Sequence, residues 1–273
     1  MTMFEERRAE QRGLLSGYSD PIYGALRASA TKADSLIGAL GIFLVGGLIV
    51  ALIGTVLFMT VASRVRSGST QVFDESVIRW FAAHHTRSLD TVMVEITALG
   101  TAVVVMMIVA VAALFLLLTG QKYSAILLLA STFGGIILNG VLKLGFDRPR
   151  PIILAPVVHA VSSSFPSGHA MSAAVVYGTV AYLAARLDKR TSVRWLVMMV
   201  AFAVIALISV SRLYLGVHYP SDVLAGIVVG LAWAGFCMAT LEAIQKFAAR
   251  RDPRLQGSWK PALSGTHRIR AGS

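Results

Sequence analysis

Residues 164–185 read SFPSGHAMSAAVVYGTVAYLAA, a polar turn that leads directly into an uncharged run. The run, Ala170–Ala185, is apolar along most of its length and is followed by Arg186. Pro166 and Gly168 stand in front of it, where a helix begins and where the backbone must approach other groups closely. This stretch therefore predicts a membrane-spanning helix whose first turn carries a histidine, His169.

The composition of the whole chain agrees with a lipid environment. Of its 273 residues 56% are hydrophobic and 14% are charged, and the mean hydropathy is +0.70. A soluble domain carries roughly 25% charged residues. The formal net charge of +11 would suggest a nucleic-acid partner in a soluble protein. Here the basic residues cluster at the ends of apolar segments, which is the pattern of membrane anchoring, so no nucleic-acid partner is expected.

Six uncharged stretches are candidates for crossing the bilayer. A span across about 30 Å of hydrocarbon needs roughly 20 helical residues. The fourth and fifth stretches are shorter, but their flanking residues can lie in the interface. The six are Leu36–Ser63, Ile96–Gln121, Tyr123–Leu142, Ala170–Ala185, Trp195–Ser211 and Val223–Leu241. The predicted fold is all-α, an integral membrane six-transmembrane helix bundle at residues 35–247, with polar cytoplasmic tails at 1–34 and 248–273.

The distribution of Lys and Arg predicts the orientation. With six crossings, both termini and the loops 2–3 and 4–5 lie on one side, which holds 17 of the 25 basic residues against 8 on the other. Cytoplasmic loops carry the excess of positive charge, so both termini are predicted to be cytoplasmic. The first span is too long and too far from the N-terminus for a cleaved signal peptide and is expected to be retained. We expect a multi-pass protein of the inner (plasma) membrane.

The segment Gln71–Arg87 has a different character, because it is neither a span nor a typical loop. Helical spacing places several of its apolar side chains on one stripe, namely Val72, Phe73, Val77, Trp80 and Phe81. It is predicted to be a helix, at about 71–88, that lies in the outer interface. The adjacent His84 and His85 point in different directions on a helix and have no Cys or carboxylate at ligand spacing, so we expect solvated histidines and no metal.

Counting the crossings brings a set of polar side chains to one place. The end of span 3, the start of span 4, the end of span 5 and the start of span 6 all lie on the outer side. Ionisable groups at the edge of a membrane are functional candidates by default. The set expected to meet at this outer mouth is Lys143, Arg150, His169, Arg212, His218 and Asp222.

Such a set is suited to a multiply charged anion. Arg binds phosphate oxygens through a planar fork, and Lys acts as a point charge. Ser167 and Gly168 open a helix whose free N–H groups suit phosphate. A carboxylate at Asp222 would fix the tautomer of His218 and leave its other nitrogen free to attack phosphorus. His169 is better placed to protonate the leaving oxygen and then to activate water.

The spacing of these residues resembles a known family. Lys143-(six residues)-Arg150-Pro151, Pro166-Ser167-Gly168-His169 and Ser211-Arg212-(five residues)-His218-(three residues)-Asp222 resemble the three-part signature of the type 2 phosphatidic acid phosphatase superfamily, which includes vanadium haloperoxidases and glucose-6-phosphatase. The resemblance implies that His218 is the nucleophile that forms phosphohistidine, that Asp222 orients it and that His169 is the general acid. It implies phosphate binding by Lys143, Arg150, Ser167, Gly168 and Arg212, with at most a supporting role for Arg148.

The expected function is hydrolysis of a lipid phosphomonoester or pyrophosphate at the extracytoplasmic face, without a metal or other cofactor. Candidate substrates are undecaprenyl diphosphate, phosphatidylglycerol phosphate, phosphatidate and lipid A. A lipid phosphotransferase with the same intermediate stays open, as does a non-catalytic lipid transporter, although the latter predicts loss of a signature residue. Six spans argue against a soluble haloperoxidase. The partners expected are the lipid phosphate and the bilayer, with the oligomeric state left open. Gly226 and Gly230 predict close packing of the last span within the bundle.

Overall fold

The computed structural model describes residues 21–152, 163–188 and 190–251. All regular secondary structure within these ranges is helical, which confirms the predicted all-α class. The eight helices are α1 (Pro21–Arg66), α2 (Gln71–Ala83), α3 (Arg87–Ala98), α4 (Ala102–Leu118), α5 (Lys122–Leu144), α6 (Gly168–Leu187), α7 (Thr191–Tyr214) and α8 (Pro220–Arg251).

Five of these helices are long and apolar enough to cross a membrane, and the pair α3–α4 supplies a sixth span if the two are counted together. The predicted uninterrupted helix Ile96–Gln121 is wrong, because α3 and α4 meet at a bend of 46°. Thr101 adopts an extended conformation with φ −71° and ψ 153°, which ends helical continuity there. The two short stretches become full spans, since α6 has 20 residues and α7 has 24.

The helix after the first span is shorter than predicted. It ends at Ala83 instead of Arg87, because a new helix, α3, begins at Arg87. Thr86 caps α3 by accepting a hydrogen bond from the Leu89 N–H at 3.3 Å. The turn from α1 into α2 passes through Gly68 at φ +73°, a conformation that favours glycine. The interfacial position of α2 stays a prediction, and the exposed side chains of Val72, Phe73 and Trp80 are compatible with it.

Helix α8 contacts α1, α5 and α6 and so lies at the centre of the bundle. Glycines permit the close contact with α6. A Cβ on Gly226 would lie 2.6 Å from the Ser167 carbonyl oxygen, and one on Gly230 would lie 2.7 Å from that of Met171. The prediction that this glycine pair packs inside the bundle is confirmed. The contact matters for function because it presses the start of α8 against the start of α6.

Candidate active site

The three motifs meet where α5 ends, α6 begins, α7 ends and α8 begins. The loop after α5 is joined to the segment before α6, since Ser164 donates its N–H to the Arg148 carbonyl at 2.9 Å and its hydroxyl to that of Pro149 at 3.2 Å. The start of α6 is joined to α8 by a bond from the Ser167 N–H to the Asp222 carbonyl at 3.0 Å. Hydrogen bonds to backbone carbonyls therefore hold the first motif against the second and the second against the third.

His218 lies at the centre of this assembly and is only 2% exposed. Its Nδ1 lies 2.8 Å from the carbonyl oxygen of Ser164. A carbonyl only accepts hydrogen bonds, so Nδ1 carries the proton and Nε2 carries the lone pair. The expected carboxylate partner is close but not bonded, because Asp222 Oδ2 lies 3.6 Å from Nδ1. The orienting bond therefore comes from a backbone carbonyl, which differs from the sequence-based expectation.

The other ring nitrogen of His218 faces a cation. Arg150 Nη1 lies 3.3 Å from Nε2 and also donates to the Val217 carbonyl at 2.8 Å. Burial lowers the pKa of His218 to about 4; Asp222 opposes this shift, and Arg212 and Arg150 add to it. The imidazole is neutral at pH 7, and its lone pair points toward positive charge.

Arg212 belongs to the third motif and is 5% exposed. Its Nη1 donates to the hydroxyl of Thr97 at 2.7 Å, and Thr97 is itself buried. The Arg212 Nε and the Ser167 hydroxyl are buried and have no hydrogen-bond partner within the described ranges. Buried polar groups are normally paired, so two such groups in one site are suited to the oxygens of a bound anion.

His169 and Gly168 lie in the first turn of α6, where helix N–H groups have no helical partner. His169 interacts electrostatically with Lys143, Arg150 and Arg212, as well as with His218, so the predicted set shares one site. A Cβ on Gly168 would lie 3.2 Å from Asn139 Oδ1. Lys143 donates from Nζ to the Ser163 carbonyl at 3.1 Å. All eight predicted side chains or backbone positions are thus brought together.

A network around Arg148 lies beside the predicted set. Arg148 Nη1 contacts Asp222 Oδ1 at 2.6 Å, and Nη2 contacts Asp74 Oδ2 at 2.7 Å. The guanidinium lies over the ring of Tyr219, 4.3 Å from its centroid. Burial lowers the Arg148 pKa, but Asp222 and Asp74 outweigh it and the net shift is upward. The sequence suggested at most a supporting role for Arg148, but its guanidinium binds directly to Asp222, a member of the predicted set.

Sequence reasoning missed several contributors to the site. Thr97 and Asp74 belong to helices outside the three motifs, and no short-range signal links either of them to its partner. Gly100 is a third case, because a Cβ there would lie 3.1 Å from Cδ2 of His169. The expectation of a solvated His85 is wrong, since its ring stacks on Tyr214 and its Nδ1 lies 3.0 Å from Asp90.

Within the described ranges, no three His, Cys, Asp or Glu side chains group so that they could hold a metal ion. Cations from the protein surround the nucleophile candidate, and the carboxylates present are paired with Arg148. The donor set thus favours an anionic ligand.

Comparison with known proteins agrees with this geometry. Residues 124–246 match the family model of the PAP2 superfamily. The chain is 32% identical to phosphatidylglycerophosphatase B of Bacillus subtilis strain 168 over 191 residues, which is 70% of this chain and 94% of that protein. The chain belongs to the PAP2 superfamily. It is also 30% identical to undecaprenyl-diphosphatase BcrC of the same organism, over 55% of this chain and 73% of that one.

The fold is similar to a solved member of the PAP2 superfamily. The crystal structure of a transmembrane PAP2-type phosphatidylglycerolphosphate phosphatase from Bacillus subtilis superposes with a TM-score of 0.68 at 30% identity, covering 71% of this chain and 96% of that one. The resemblance inferred from the three motifs is confirmed. The protein is a multi-pass membrane protein of a phosphatase family that hydrolyses phosphate esters or anhydrides.

Proposed function

We propose that this PAP2 protein hydrolyses a lipid phosphomonoester or pyrophosphate through a phosphohistidine on His218, without a metal ion. The observation that carries the proposal is the orientation of the His218 ring. Nδ1 donates to the Ser164 carbonyl at 2.8 Å, and Nε2 lies 3.3 Å from Arg150 Nη1. A neutral imidazole with its lone pair directed at a cationic pocket is a nucleophile placed against a bound anion.

Phosphate binding is assigned to groups from all three motifs. Arg150 and Arg212 would take two phosphate oxygens through their guanidinium groups, and Lys143 would add a point charge. The Ser167 hydroxyl and the first N–H groups of α6 at Gly168 complete a donor set for the equatorial oxygens. These cations stabilise the charge that spreads over the oxygens in the transition state, a role that a metal fills in other phosphatases.

The reaction has two steps. In the first, the Nε2 lone pair of His218 forms a bond to phosphorus, the bond from phosphorus to the leaving oxygen breaks, and His169 gives that oxygen a proton. In the second, His169 takes a proton from water, the water oxygen bonds to phosphorus, and the N–P bond breaks to restore His218. The phosphorylated ring is positively charged, and the Asp222 carboxylate, 3.6 Å from Nδ1, stabilises it.

The lipid character of the substrate follows from the position of the site at the ends of four spanning helices. The charge asymmetry of 17 to 8 supports an orientation with this end outside the cytoplasm, the protein in the inner membrane and both termini inside. The similarity to phosphatidylglycerophosphatase B and to BcrC supports phosphatidylglycerol phosphate and undecaprenyl diphosphate as first candidates. Phosphatidate and lipid A complete the set.

A phosphate-release panel tests the proposal. Purified protein in detergent is given each of the four lipids, without an acceptor alcohol and with EDTA present. We expect release from at least one lipid, and loss of release in His218→Ala but not in His84→Ala, an exposed histidine whose Nδ1 lies 2.7 Å from the Trp80 carbonyl oxygen. No release from any lipid, or full activity in His218→Ala, contradicts the proposal. Release that requires an acceptor alcohol would indicate a phosphotransferase, and release that requires Mg²⁺ would contradict the metal-free site.

A further inference from the structure

Asp74 is a fully buried carboxylate on α2, outside all three motifs. Both of its oxygens accept hydrogen bonds. Oδ2 accepts from Arg148 Nη2 at 2.7 Å and from the Ser221 hydroxyl at 2.5 Å, and Oδ1 accepts from the Ser221 N–H at 3.1 Å. A buried charge with this many partners is held in one position, and the helix that carries it is held with it.

Arg148 lies between two buried carboxylates. Its Nη2 binds Asp74, and its Nη1 binds Asp222 Oδ1 at 2.6 Å. The second oxygen of Asp222 accepts the Tyr219 N–H at 2.9 Å and lies nearest to the His218 ring. Charge therefore alternates from Asp74 through Arg148 to Asp222 and ends at the nucleophile candidate. Salt screens such buried charges much less than surface charges.

We propose that Asp74 is a positioning residue that acts on His218 through Arg148, an inference that rests on the proposed function. One guanidinium divided between two carboxylates neutralises neither of them fully. Asp222 thus keeps more negative charge toward the His218 ring, which becomes positive when it is protonated or phosphorylated. Without the charge on Asp74, Arg148 would act on Asp222 alone, and the cationic ring would lose stabilisation.

The experiment replaces Asp74 by Asn and follows His218 directly. Nitrogen NMR of histidine-labelled protein in detergent gives the protonation midpoint of His218, with the signal assigned by its loss in His218→Gln. Within the described ranges, six charged or titratable groups lie around this ring or its carboxylate, and all keep their identity in Asp74→Asn; they are Asp222, Arg148, Arg150, Arg212, Lys143 and His169. Any shift of the midpoint therefore reports the charge on Asp74.

In Asp74→Asn we expect the midpoint to fall by about half a unit, less than the one to three units that a directly bonded charge produces. We expect kcat for phosphate release to fall roughly threefold to tenfold. The matched control is Glu95→Gln, which removes an exposed carboxylate from the neighbouring helix α3 and should change neither quantity. A midpoint that stays at the wild-type value overturns the inference, whether or not kcat falls, because helix displacement alone would lower kcat only.

The variant is expected to fold, since Arg148 and Asp222 still form a balanced pair. If it does not accumulate, Asp74→Glu replaces it. This variant keeps the charge beside Arg148, so we expect the wild-type midpoint. A midpoint that falls by about half a unit although the charge is kept would overturn the inference. The protonation midpoint of His218 can be measured by NMR without any turnover of substrate. Failure of the wild type to release phosphate would therefore refute the proposed function and leave the effect of Asp74 on His218 measurable.

Discussion

Replacing Thr97 by Val tests whether helix α3, through its buried Thr97, holds Arg212, to which we assign phosphate binding. The Thr97 hydroxyl accepts a hydrogen bond from Arg212 Nη1 at 2.7 Å, and the two residues are 7% and 5% exposed. Valine has nearly the same shape and lacks the hydroxyl. A hydrogen bond to a charged group contributes roughly 1.5–3 kcal/mol, and each 1.4 kcal/mol corresponds to a factor of about ten in rate. Because a bound phosphate restores part of this loss, we expect kcat/KM to fall about tenfold.

The assay is phosphate release by purified protein in detergent, with apparent Tm measured on the same samples. Thr97→Ser keeps the hydroxyl and should stay close to the wild type. Thr101→Val removes a hydroxyl at the bend between α3 and α4, one that donates to the Ala98 carbonyl at 2.7 Å, and serves as the matched control. A wild-type kcat/KM in Thr97→Val, or an equal loss of activity in Thr101→Val at the same Tm, would show that the Thr97 hydroxyl does not hold Arg212.

Three further changes have definite expected outcomes. Gly100→Ala places a methyl group 2.9 Å from Ile208 and 3.1 Å from the His169 ring, so kcat should fall about tenfold with little change in KM. In the same steady-state assay Gly140→Ala should change neither constant, because a Cβ there meets nothing within 4 Å. The pKa of His218 near 4, below the ordinary 6.5, predicts that protonation of this ring produces an acid limb in kcat/KM with its half-point near pH 4; titration of the His218 ring itself near 6.5 would contradict this. The contribution of this neutral ring to stability is lost as pH falls from 6.5 to 4. Glu242→Gln weakens a cluster with Arg186 at the opposite end of the bundle, so it should lower the apparent Tm and leave kcat unchanged; a reduced kcat would show that the two ends are coupled.

The spans and the three motifs could be predicted because each rests on a local property of the chain. A segment that crosses the bilayer as a helix must be long and largely uncharged. The alternation of crossings then brings Lys143, His169 and His218 to the same side of the membrane. The break between α3 and α4 could not be predicted in this way. Gly100 and Thr101 lie in an apolar run, and hydropathy is insensitive to a two-residue change of backbone direction.

The other features of the site that could not be predicted depend on contacts between residues far apart in the sequence. Asp74 and Thr97 are ordinary polar residues of short helices, and their partners lie 74 and 115 positions further along the chain. The four-residue spacing of His218 and Asp222 correctly placed the carboxylate beside the ring. It could not reveal that Arg148 and the Tyr219 N–H would bind that carboxylate and leave the ring N–H to the Ser164 carbonyl.

The most direct test of a phosphohistidine mechanism is a rapid-quench search for the covalent intermediate. Protein mixed with a lipid substrate carrying ³²P in its terminal phosphate is quenched in alkali, digested and analysed by mass spectrometry. We expect an acid-labile, alkali-stable label on His218 that forms and decays as fast as phosphate is released and is absent from His218→Gln. Turnover at the full rate without any label on His218, or with the label on another residue, would contradict this mechanism.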